Sequence, residues 1–248
     1  MNFIRYTLAA FVFYFSPLHA AGEPLNIGIE SFVPPFVMQG AHHESYGYDV
    51  DMMLSLCKIM DRTCQFHIMR FDKLLPAVAE KKIDVAVSSI TITTERAKIV
   101  NFSLPYLLSY SRFLTNKSAD AQKPFTLDML NNKSIGIGVG TIFGDQIKAM
   151  GIKDPTIKTY NGNELSLEGL GKKEVDFILI DNPTAIYWEA NSTGAFVKIG
   201  PPFMFGLGFG IAVNKADKNL LETIDKALLQ YQASKDYKTN YDRYLDEF

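Results

Sequence analysis

The sequence VSSITITTERAK at residues 87–98 is the stretch from which the fold and function of this protein are best argued. It continues an apolar run, Ile83 to Val87, that has the pattern of a buried strand. Several hydroxyl side chains follow the strand, and Arg96 comes after them. An arginine can bind a carboxylate through two parallel hydrogen bonds, while hydroxyl and backbone groups can bind an ammonium group. The stretch therefore fits a site for a zwitterion, although an ordinary strand followed by a helix start capped by Thr93 explains the same residues.

Residues 1–20 have the pattern of a secretory signal peptide. Arg5 precedes an apolar segment, Leu8 to Phe15, and the small residue Ala20 marks the expected cleavage point. An uncleaved membrane anchor is the alternative, but the apolar segment is far shorter than the roughly 20 residues of a spanning helix. No cysteine stands directly behind the segment, which argues against a lipid-anchored protein. We therefore expect an exported protein with a cleaved leader.

The composition of the chain is that of an ordinary globular protein without a basic cluster. Of its 248 residues, 47% are hydrophobic and 21% are charged. It contains 25 Lys and Arg residues, one of them Arg5 in the predicted leader, against 27 Asp and Glu residues. Because nucleic-acid binding needs clustered positive charge that neutralises phosphates, nucleic acid is not expected as a partner.

Cys57 and Cys64 are the two cysteines of the chain. In an exported protein a disulfide is favoured, and it would join the end of a predicted helix, residues 50–60, to a predicted strand, residues 65–69. Free thiols acting as nucleophiles or metal ligands are the alternative, although no residue completes a zinc-binding spacing. The adjacent pair at 42–43, both histidines, is expected to be a solvated loop. No metal and no cofactor is expected.

Two pairs of similar segments, in the same order, indicate two similar α/β units. Residues 81–87 and 172–180 each combine a lysine pair, an Asp and a buried strand, and residues 26–29 and 134–137 each form an alternating strand. Chance similarity of short strands is the alternative for either pair alone. Together they predict an α/β fold with two lobes.

Two extended apolar runs fit crossings between these lobes. One covers residues 107–114, and the other is the glycine-punctuated run 201–210, which is too interrupted for a membrane span. The predicted first lobe therefore comprises residues 21–108 and 207–248, and the predicted second lobe comprises residues 109–206.

The glycine-rich strand Ser134 to Gly140 is similar to the dinucleotide-binding fingerprint only superficially. Thr141 and Phe143 occupy the positions where that fingerprint needs glycine. A strand end that opens a helix still offers backbone amides to an anion, and this suits a carboxylate as well as a phosphate.

In combination, these motifs resemble the periplasmic amino-acid-binding proteins of ABC transporters, solute-binding protein family 3, including the lysine-arginine-ornithine-binding and glutamine-binding proteins. The resemblance extends from Leu25 to about Tyr244. It implies a type II periplasmic-binding-protein fold, with two lobes that are each a mixed sheet flanked by helices, joined by two hinge crossings. The cysteine spacing also resembles the disulfide of the members that bind basic amino acids. The motifs are VPPF (33–36), GYDVD (47–51), residues 82–98, FSLPY (102–106), GVGT (138–141) and KEVDFILID (173–181).

The resemblance implies two binding groups for the common part of an amino acid. Arg96 would bind the α-carboxylate with the backbone amides of Thr91 and Ile142. Asp181 would bind the α-ammonium group together with Ser89 and Thr91. Residue 142 is not a hydroxyl residue here, so only its amide can serve the carboxylate.

The resemblance also implies contacts for the ligand side chain. Phe71 would form an aromatic wall, and Glu30 would face the end of the side chain. Val33 stands where the family usually has a second aromatic residue, so the stack is one-sided unless Phe32 or Phe143 replaces it. The full predicted ligand-binding set is Glu30, Phe32, Phe71, Ser88, Ser89, Thr91, Arg96, Thr141, Ile142 and Asp181.

The function implied is that of a periplasmic receptor, expected as a monomer, that closes two lobes over an L-amino acid and delivers it to the membrane permease of an ABC importer. Glu30 favours a cationic ligand, arginine, lysine or ornithine, because a buried carboxylate needs a positive partner. Glutamine or another polar amino acid is the alternative ligand. A cyclohexadienyl dehydratase, acting on prephenate or arogenate, is the alternative in another class, and a sensor or adhesin that reuses the fold is a third.

Overall fold

The computed structural model describes residues 22–118 and 123–246, and the predicted signal peptide lies outside them. The strands are β1 (Gly22–Ile29), β2 (Met38–Gln39), β3 (Ser45–Tyr46), β4 (Arg62–Ile68), β5 (Val85–Ala86), β6 (Asn101–Phe102), β7 (Tyr110–Asn116), β8 (Ser134–Gly138), β9 (Thr156–Tyr160), β10 (Phe177–Asp181), β11 (Phe196–Met204) and β12 (Ala212–Val213). The helices are α1 (Tyr48–Ile59), α2 (Phe71–Ala79), α3 (Phe143–Ala149), α4 (Asn163–Gly171), α5 (Asn182–Asn191), α6 (Lys218–Gln232) and α7 (Lys235–Tyr244), with short 3-10 helices at Arg96–Lys98 and Leu127–Leu130.

Two five-stranded sheets organise the molecule. Their strand orders are β4-β1-β5-β12-β6 and β11-β7-β10-β8-β9. In the first sheet β1 runs parallel to β4 and β5, and in the second sheet β8 runs parallel to β9 and β10. Antiparallel strands complete both sheets. We call the parts built around these sheets the first and the second lobe. The mixed α/β fold with two lobes is confirmed, and the residue boundaries of the lobes stay a prediction.

The two chain segments that join the lobes lie side by side. β7 and β11 pair as far as Tyr110 and Met204, and beyond that pair Phe209 forms bridges with Leu107 and Thr91 of the first lobe. The return crossing is shorter than the predicted 201–210, because residues up to Met204 still belong to the second sheet.

Each lobe has its own hydrophobic core. In the first lobe Leu25, Ile27 and Ile29 of β1 are fully buried, since alternate residues of a strand face the same side. In the second lobe Ile135 and Leu179 occupy the corresponding positions in β8 and β10. The two cores are separate clusters, so each lobe can keep its structure when the lobes move.

The predicted C-terminal helix is two helices, α6 and α7. Ser234 stands between them, and its side chain accepts a hydrogen bond from the amide of Tyr237 at 3.3 Å, which caps α7. Ile224, Leu228 and Tyr231 of α6 pack into the core of the first lobe, as the helical spacing predicted. Within residues 22–118 and 123–246, helices of the length and apolarity needed to cross a membrane are absent.

The turn after β1 determines how α1 enters the core. Pro34 and Pro35 are joined by a cis peptide bond, and the amide of Asp49 donates to the carbonyl of Phe36 at 3.0 Å. Gly47 has a φ of 129°, and a Cβ at this position would lie 2.4 Å from the carbonyl oxygen of Phe36, so only glycine fits. As a result Asp49, in the first turn of α1, is fully buried.

The predicted disulfide is confirmed. Cys57, near the end of α1, is bonded to Cys64 in β4. The bond ties a helix of the first lobe to the edge strand of its sheet.

β9 and α5 are among the elements that were not predicted from the sequence, as are β2, β3, β6 and β11. β9 is the edge strand of the second sheet, and α5 follows directly after β10. Asn182 and Pro183 open α5, a position at which proline is tolerated because the amide it lacks would be unpaired. Both elements carry residues that matter for the site.

Candidate functional site

A cavity of about 250 Å³ lies between the two lobes. Strands β1, β4 and β5 of the first sheet and β8, β9 and β10 of the second sheet all end at it. The carboxyl ends of parallel strands are where α/β sheets place their ligands, so the position of the cavity follows from the topology. Residues at these strand ends that line the cavity are Glu30, Met69, Ser89, Val139, Asn161 and Asp181.

Arg96 is buried at the cavity and is held by both lobes. Its Nη1 donates to the carbonyl of Thr91 at 2.9 Å, and its Nη2 donates to the carbonyl of Gly140 in the second lobe at 3.0 Å. The guanidinium group also lies over the ring of Phe71, 5.3 Å from its centre. Burial lowers the pKa of Arg96 to about 10, and the charge of Asp181 opposes this change. The side chain therefore stays cationic at neutral pH.

The backbone around Arg96 confirms part of the alternative interpretation of this stretch. The amide of Arg96 donates to Oγ1 of Thr93 at 3.2 Å, where the 3-10 helix begins. The two interpretations are compatible, because the backbone of Arg96 begins a short helix capped by Thr93 while its side chain lines the cavity.

A hydroxyl and a carboxylate meet across the cavity. Oγ of Ser89 donates to Oδ2 of Asp181 at 2.9 Å, so the first lobe is bonded to the second lobe. Ser89 has a φ of 44°, an unfavourable region for a residue with a side chain, and its amide donates to Oδ2 of Asp49 at 2.7 Å. Burial raises the pKa of Asp181 to about 7, and the Ser89 hydrogen bond and the Arg96 charge partly counteract this effect.

Glu30 supplies a second buried carboxylate on the wall of the cavity. It is 8% exposed, and its backbone amide donates to Oγ of Ser88 at 3.2 Å. Burial raises its pKa to about 8, with further contributions from the charges of Asp181 and Glu164. A cation placed beside Glu30 would remove the cause of this shift, because it favours the ionised carboxylate.

The structure brings most of the predicted site residues together. Eight of the ten line the cavity, namely Glu30, Phe71, Ser89, Thr91, Arg96, Thr141, Ile142 and Asp181. That these residues contact a ligand stays a prediction.

The structure does not bring Phe32 and Ser88 to the cavity wall. Ser88 is fully buried behind Glu30, and its hydroxyl oxygen accepts a hydrogen bond from the backbone amide of Glu30. The ring of Phe32 packs instead against Trp188 of α5, with 6.1 Å between the ring centres. Of the residues considered for the second aromatic position, Phe143 and Val33 line the cavity.

A loop that was not predicted from the sequence faces Glu30 from the second lobe. Asn161, Gly162 and Asn163 follow β9 and line the cavity. Gly162 has a φ of 116°, and a Cβ on it would lie 3.5 Å from Oε1 of Glu30. The alternation in residues 156–160, followed by an Asn-Gly pair, is the pattern that could have indicated a strand and a turn here.

The described residues offer no group of three or more His, Cys, Asp or Glu side chains that could hold a metal ion. The cavity instead combines the buried guanidinium group of Arg96 with the buried carboxyl group of Glu30 and the half-buried carboxyl group of Asp181. Arg70 and Asp72 also line it, but their charges are paired with each other. This set can bind a zwitterion that carries an additional positive charge.

Similarity to known proteins agrees with the geometry. The model of the bacterial extracellular solute-binding proteins, family 3, matches residues 25–247. ABC transporter arginine-binding protein 1 of Escherichia coli (strain K12) is 31% identical over 248 residues, covering 98% of this chain and 99% of that protein.

Solved structures show the same similarity. An arginine 3rd transport system periplasmic binding protein from Legionella pneumophila has a TM-score of 0.83 and 33% identity, covering 89% of this chain and 99% of that chain. An ancestral arginine-binding protein bound to glutamine has a TM-score of 0.81 and 31% identity, covering 90% of this chain and 97% of that chain. This protein therefore belongs to the bacterial extracellular solute-binding proteins of family 3.

Proposed function

We propose that this protein is a periplasmic receptor that binds L-arginine between its two lobes and delivers it to the membrane permease of an ABC importer. The observation that carries the choice of arginine is Glu30, a buried carboxyl group in the same cavity as Arg96 and Asp181. The names of the relatives in Escherichia coli and Legionella pneumophila support the same ligand and the periplasmic location.

The charges of the cavity indicate how arginine would lie. Its carboxylate would pair with Arg96, which uses two of its five N–H donors on protein carbonyls and keeps others for the ligand. Its ammonium group would lie opposite Asp181 and would donate hydrogen bonds to oxygen atoms of Asp181, Ser89 and Thr91. The guanidinium end would then extend toward Glu30, along the ring of Phe71.

A charge balance favours a cationic ligand over a neutral one. Arg70 and Asp72 line the cavity as an ion pair whose charges cancel. With Glu30 and Asp181 ionised, the remaining charges are two negative against the one positive charge of Arg96. A zwitterion with a neutral side chain leaves Glu30 without a positive partner, whereas the guanidinium group of arginine supplies one. Glutamine remains the second candidate, because an ancestral arginine-binding protein of this fold is known bound to glutamine.

Closure of the lobes would enclose the ligand. The bonds from Ser89 to Asp181 and from Arg96 to the carbonyl of Gly140 join the lobes at the cavity. The paired segments around Leu107 and Phe209 are the only part that must bend, since each lobe keeps a separate core within the described residues. Small-angle scattering should therefore show compaction when ligand is added.

Calorimetric titration of the exported chain with arginine, lysine, ornithine and glutamine tests the proposal. We expect the highest affinity for arginine and measurable binding of the other cationic amino acids. Heat with glutamine but with none of the cationic amino acids would contradict the choice of ligand. Heat with none of the four would contradict the function itself.

The family supports binding rather than the dehydratase alternative, since its members are solute-binding proteins. Incubation with prephenate and arogenate, followed by product detection, should show no turnover above the buffer control. Formation of phenylpyruvate or phenylalanine would overturn this assignment.

A further inference from the structure

Two aromatic side chains meet across the lobes outside the cavity wall. Phe32 follows β1 in the first lobe, and Trp188 belongs to α5 in the second lobe. Their ring centres are 6.1 Å apart and their planes are inclined by 60°. This is within the range in which aromatic pairs attract each other.

Each ring belongs to a segment that is anchored in the core of its own lobe. Val33, next to Phe32, is buried in the core of the first lobe. Trp188 packs against the cluster around Leu114 and Ile180 of the second lobe. Because the two cores are separate, the contact between the rings is lost whenever the lobes separate at this edge.

The contact is connected directly to residues of the proposed site. Phe32 lies two positions after Glu30, and Trp188 lies two helical turns after Asp181 on the continuous unit formed by β10 and α5. A movement that brings Asp181 to Ser89 therefore also brings Trp188 to Phe32.

Further aromatic side chains surround this contact. The ring of Tyr187 stands at 90° to that of Trp188, with 5.4 Å between the centres. Burial and the neighbouring Tyr46 of the first lobe raise the pKa of Tyr187. The indole Nε1 of Trp188 is shielded from solvent and has no hydrogen-bond partner among the described residues. The ring is thus placed for an apolar contact rather than for a polar one.

From this geometry we infer that Phe32 and Trp188 are positioning residues that hold the closed arrangement and thereby set the affinity of the receptor and its rate of ligand release. The inference rests on the proposed function, since it concerns the same cavity. Only the closed arrangement encloses the ligand, so the measured dissociation constant depends on the fraction of protein that closes. The pair contributes to that fraction without touching the ligand.

A double-mutant cycle on arginine affinity tests the inference. Phe32→Ala and Trp188→Ala should each weaken binding by about two- to tenfold, the range expected for an aromatic pair. In the double variant the second substitution should cost markedly less than it does alone, because the contact is already absent. If the loss of affinity in the double variant equals the product of the losses in the two single variants, the inference is wrong.

Conservative variants and kinetics separate positioning from a general loss of structure. Phe32→Tyr and Trp188→Phe keep both rings and should bind arginine nearly as the unmodified protein does. Phe32→Ala should raise the dissociation rate and leave the association rate almost unchanged. Leu229→Ala, which removes an exposed apolar side chain from α6, is the control and should change neither rate. An unchanged dissociation rate in Phe32→Ala would also overturn the inference.

Trp188 is the single tryptophan of the chain and reports on its own environment. Selective excitation should show a change in its emission when saturating arginine is added to the unmodified protein. In Phe32→Ala this change should be largely lost although calorimetry still shows binding. The same change in both proteins would contradict the contact. If the unmodified protein binds none of the cationic amino acids, the proposed function is wrong. If it binds arginine but the effects of the two substitutions are independent, only the inference about Phe32 and Trp188 is wrong.

Discussion

The hydroxyl of Ser89 donates a hydrogen bond to Oδ2 of Asp181 over 2.9 Å, and this bond joins the end of β5 in the first lobe to the end of β10 in the second. Arg96 adds a second bond between the lobes through the carbonyl of Gly140. The residues proposed to bind the ammonium and carboxylate groups of the ligand are therefore the same residues that hold the lobes together. On the proposed function, ligand binding and closure of the lobes are coupled.

Replacing Arg96 should remove binding of every amino acid. In Arg96→Ala the ligand carboxylate would lose its charged partner, at a cost of about 2–5 kcal/mol. Arginine at ~100 times its dissociation constant should stabilise the unmodified protein by roughly 2.7 kcal/mol, and a thermal-shift assay should show no such effect in the variant.

Arg70 provides the matched control for Arg96. It lines the same cavity, but it is paired with Asp72 at 2.9 Å and its side chain is 52% exposed. Arg70→Ala should keep most of the ligand-induced shift. A persistent shift in Arg96→Ala together with loss in Arg70→Ala would show that the carboxylate is bound elsewhere.

Replacing Glu30 should change which ligand is preferred. Glu30→Gln removes the negative charge that faces the guanidinium group, so arginine affinity should fall by at least about tenfold while glutamine affinity falls less or rises. Calorimetry with both amino acids measures the ratio. If the preference for arginine is unchanged, Glu30 does not face the ligand side chain.

The stability of the ligand-free protein should fall as pH rises. Burial raises the pKa of Glu30 from 4.5 to about 8, so the folded protein binds this proton more tightly than the unfolded chain does. Asp181, raised to about 7, acts in the same direction. The stabilisation is therefore complete below pH 4.5 and is lost as pH rises through about 8.

Thermal unfolding between these two pH values measures the effect, and Glu30→Gln should flatten the upper part of the curve. Arginine supplies the missing positive charge, so the shift in melting temperature that it causes should grow over the same pH range. A ligand-free stability that increases toward pH 8 in the unmodified protein would contradict the burial of these carboxyl groups.

Asp49 should support the site through Ser89 without lining the cavity. Its carboxylate accepts the amide of Ser89, which is held at a φ of 44°. Asp49→Ala leaves that buried amide without an acceptor, which should cost about 1–3 kcal/mol of stability and weaken arginine binding. Asp49→Asn keeps an acceptor oxygen and should retain most of both.

Ser89→Gly is the companion variant for Asp49. Glycine adopts the positive φ without strain but lacks the hydroxyl that reaches Asp181. We therefore expect weaker binding with little loss of stability, measured by calorimetry and thermal unfolding. Equal binding by Asp49→Ala and the unmodified protein would show that Ser89 does not need this support.

Patterns of residues that are close in the sequence were sufficient to predict much of the fold. The alternation in β1, the buried run before Ser88 and the stripe of Ile224, Leu228 and Tyr231 predicted elements that the structure contains. Such patterns work because burial of one face of a strand or helix depends on local spacing. β9 was missed because an edge strand with mostly exposed residues carries a weak version of the same pattern.

Local patterns do not determine where a side chain near a strand end points. Phe32 was predicted as a site residue because it stands two positions after Glu30, but its ring packs against Trp188. The packing of the Phe32 ring against Trp188 of α5 decides this direction, and α5 is far from Phe32 in the chain.

Composition and short-range spacing were enough to predict the α/β class, the export pattern and the disulfide pair, and they made residues 87–98 a candidate site for a zwitterion. Only the tertiary structure decided that Ser89 meets Asp181, that Gly162 closes over Glu30 and that the carboxyl groups have raised pKa values. The physical reason is that these properties arise from burial between two lobes. Burial raises the free energy of ionising a carboxyl group, and a group becomes buried only when distant segments of the chain pack around it.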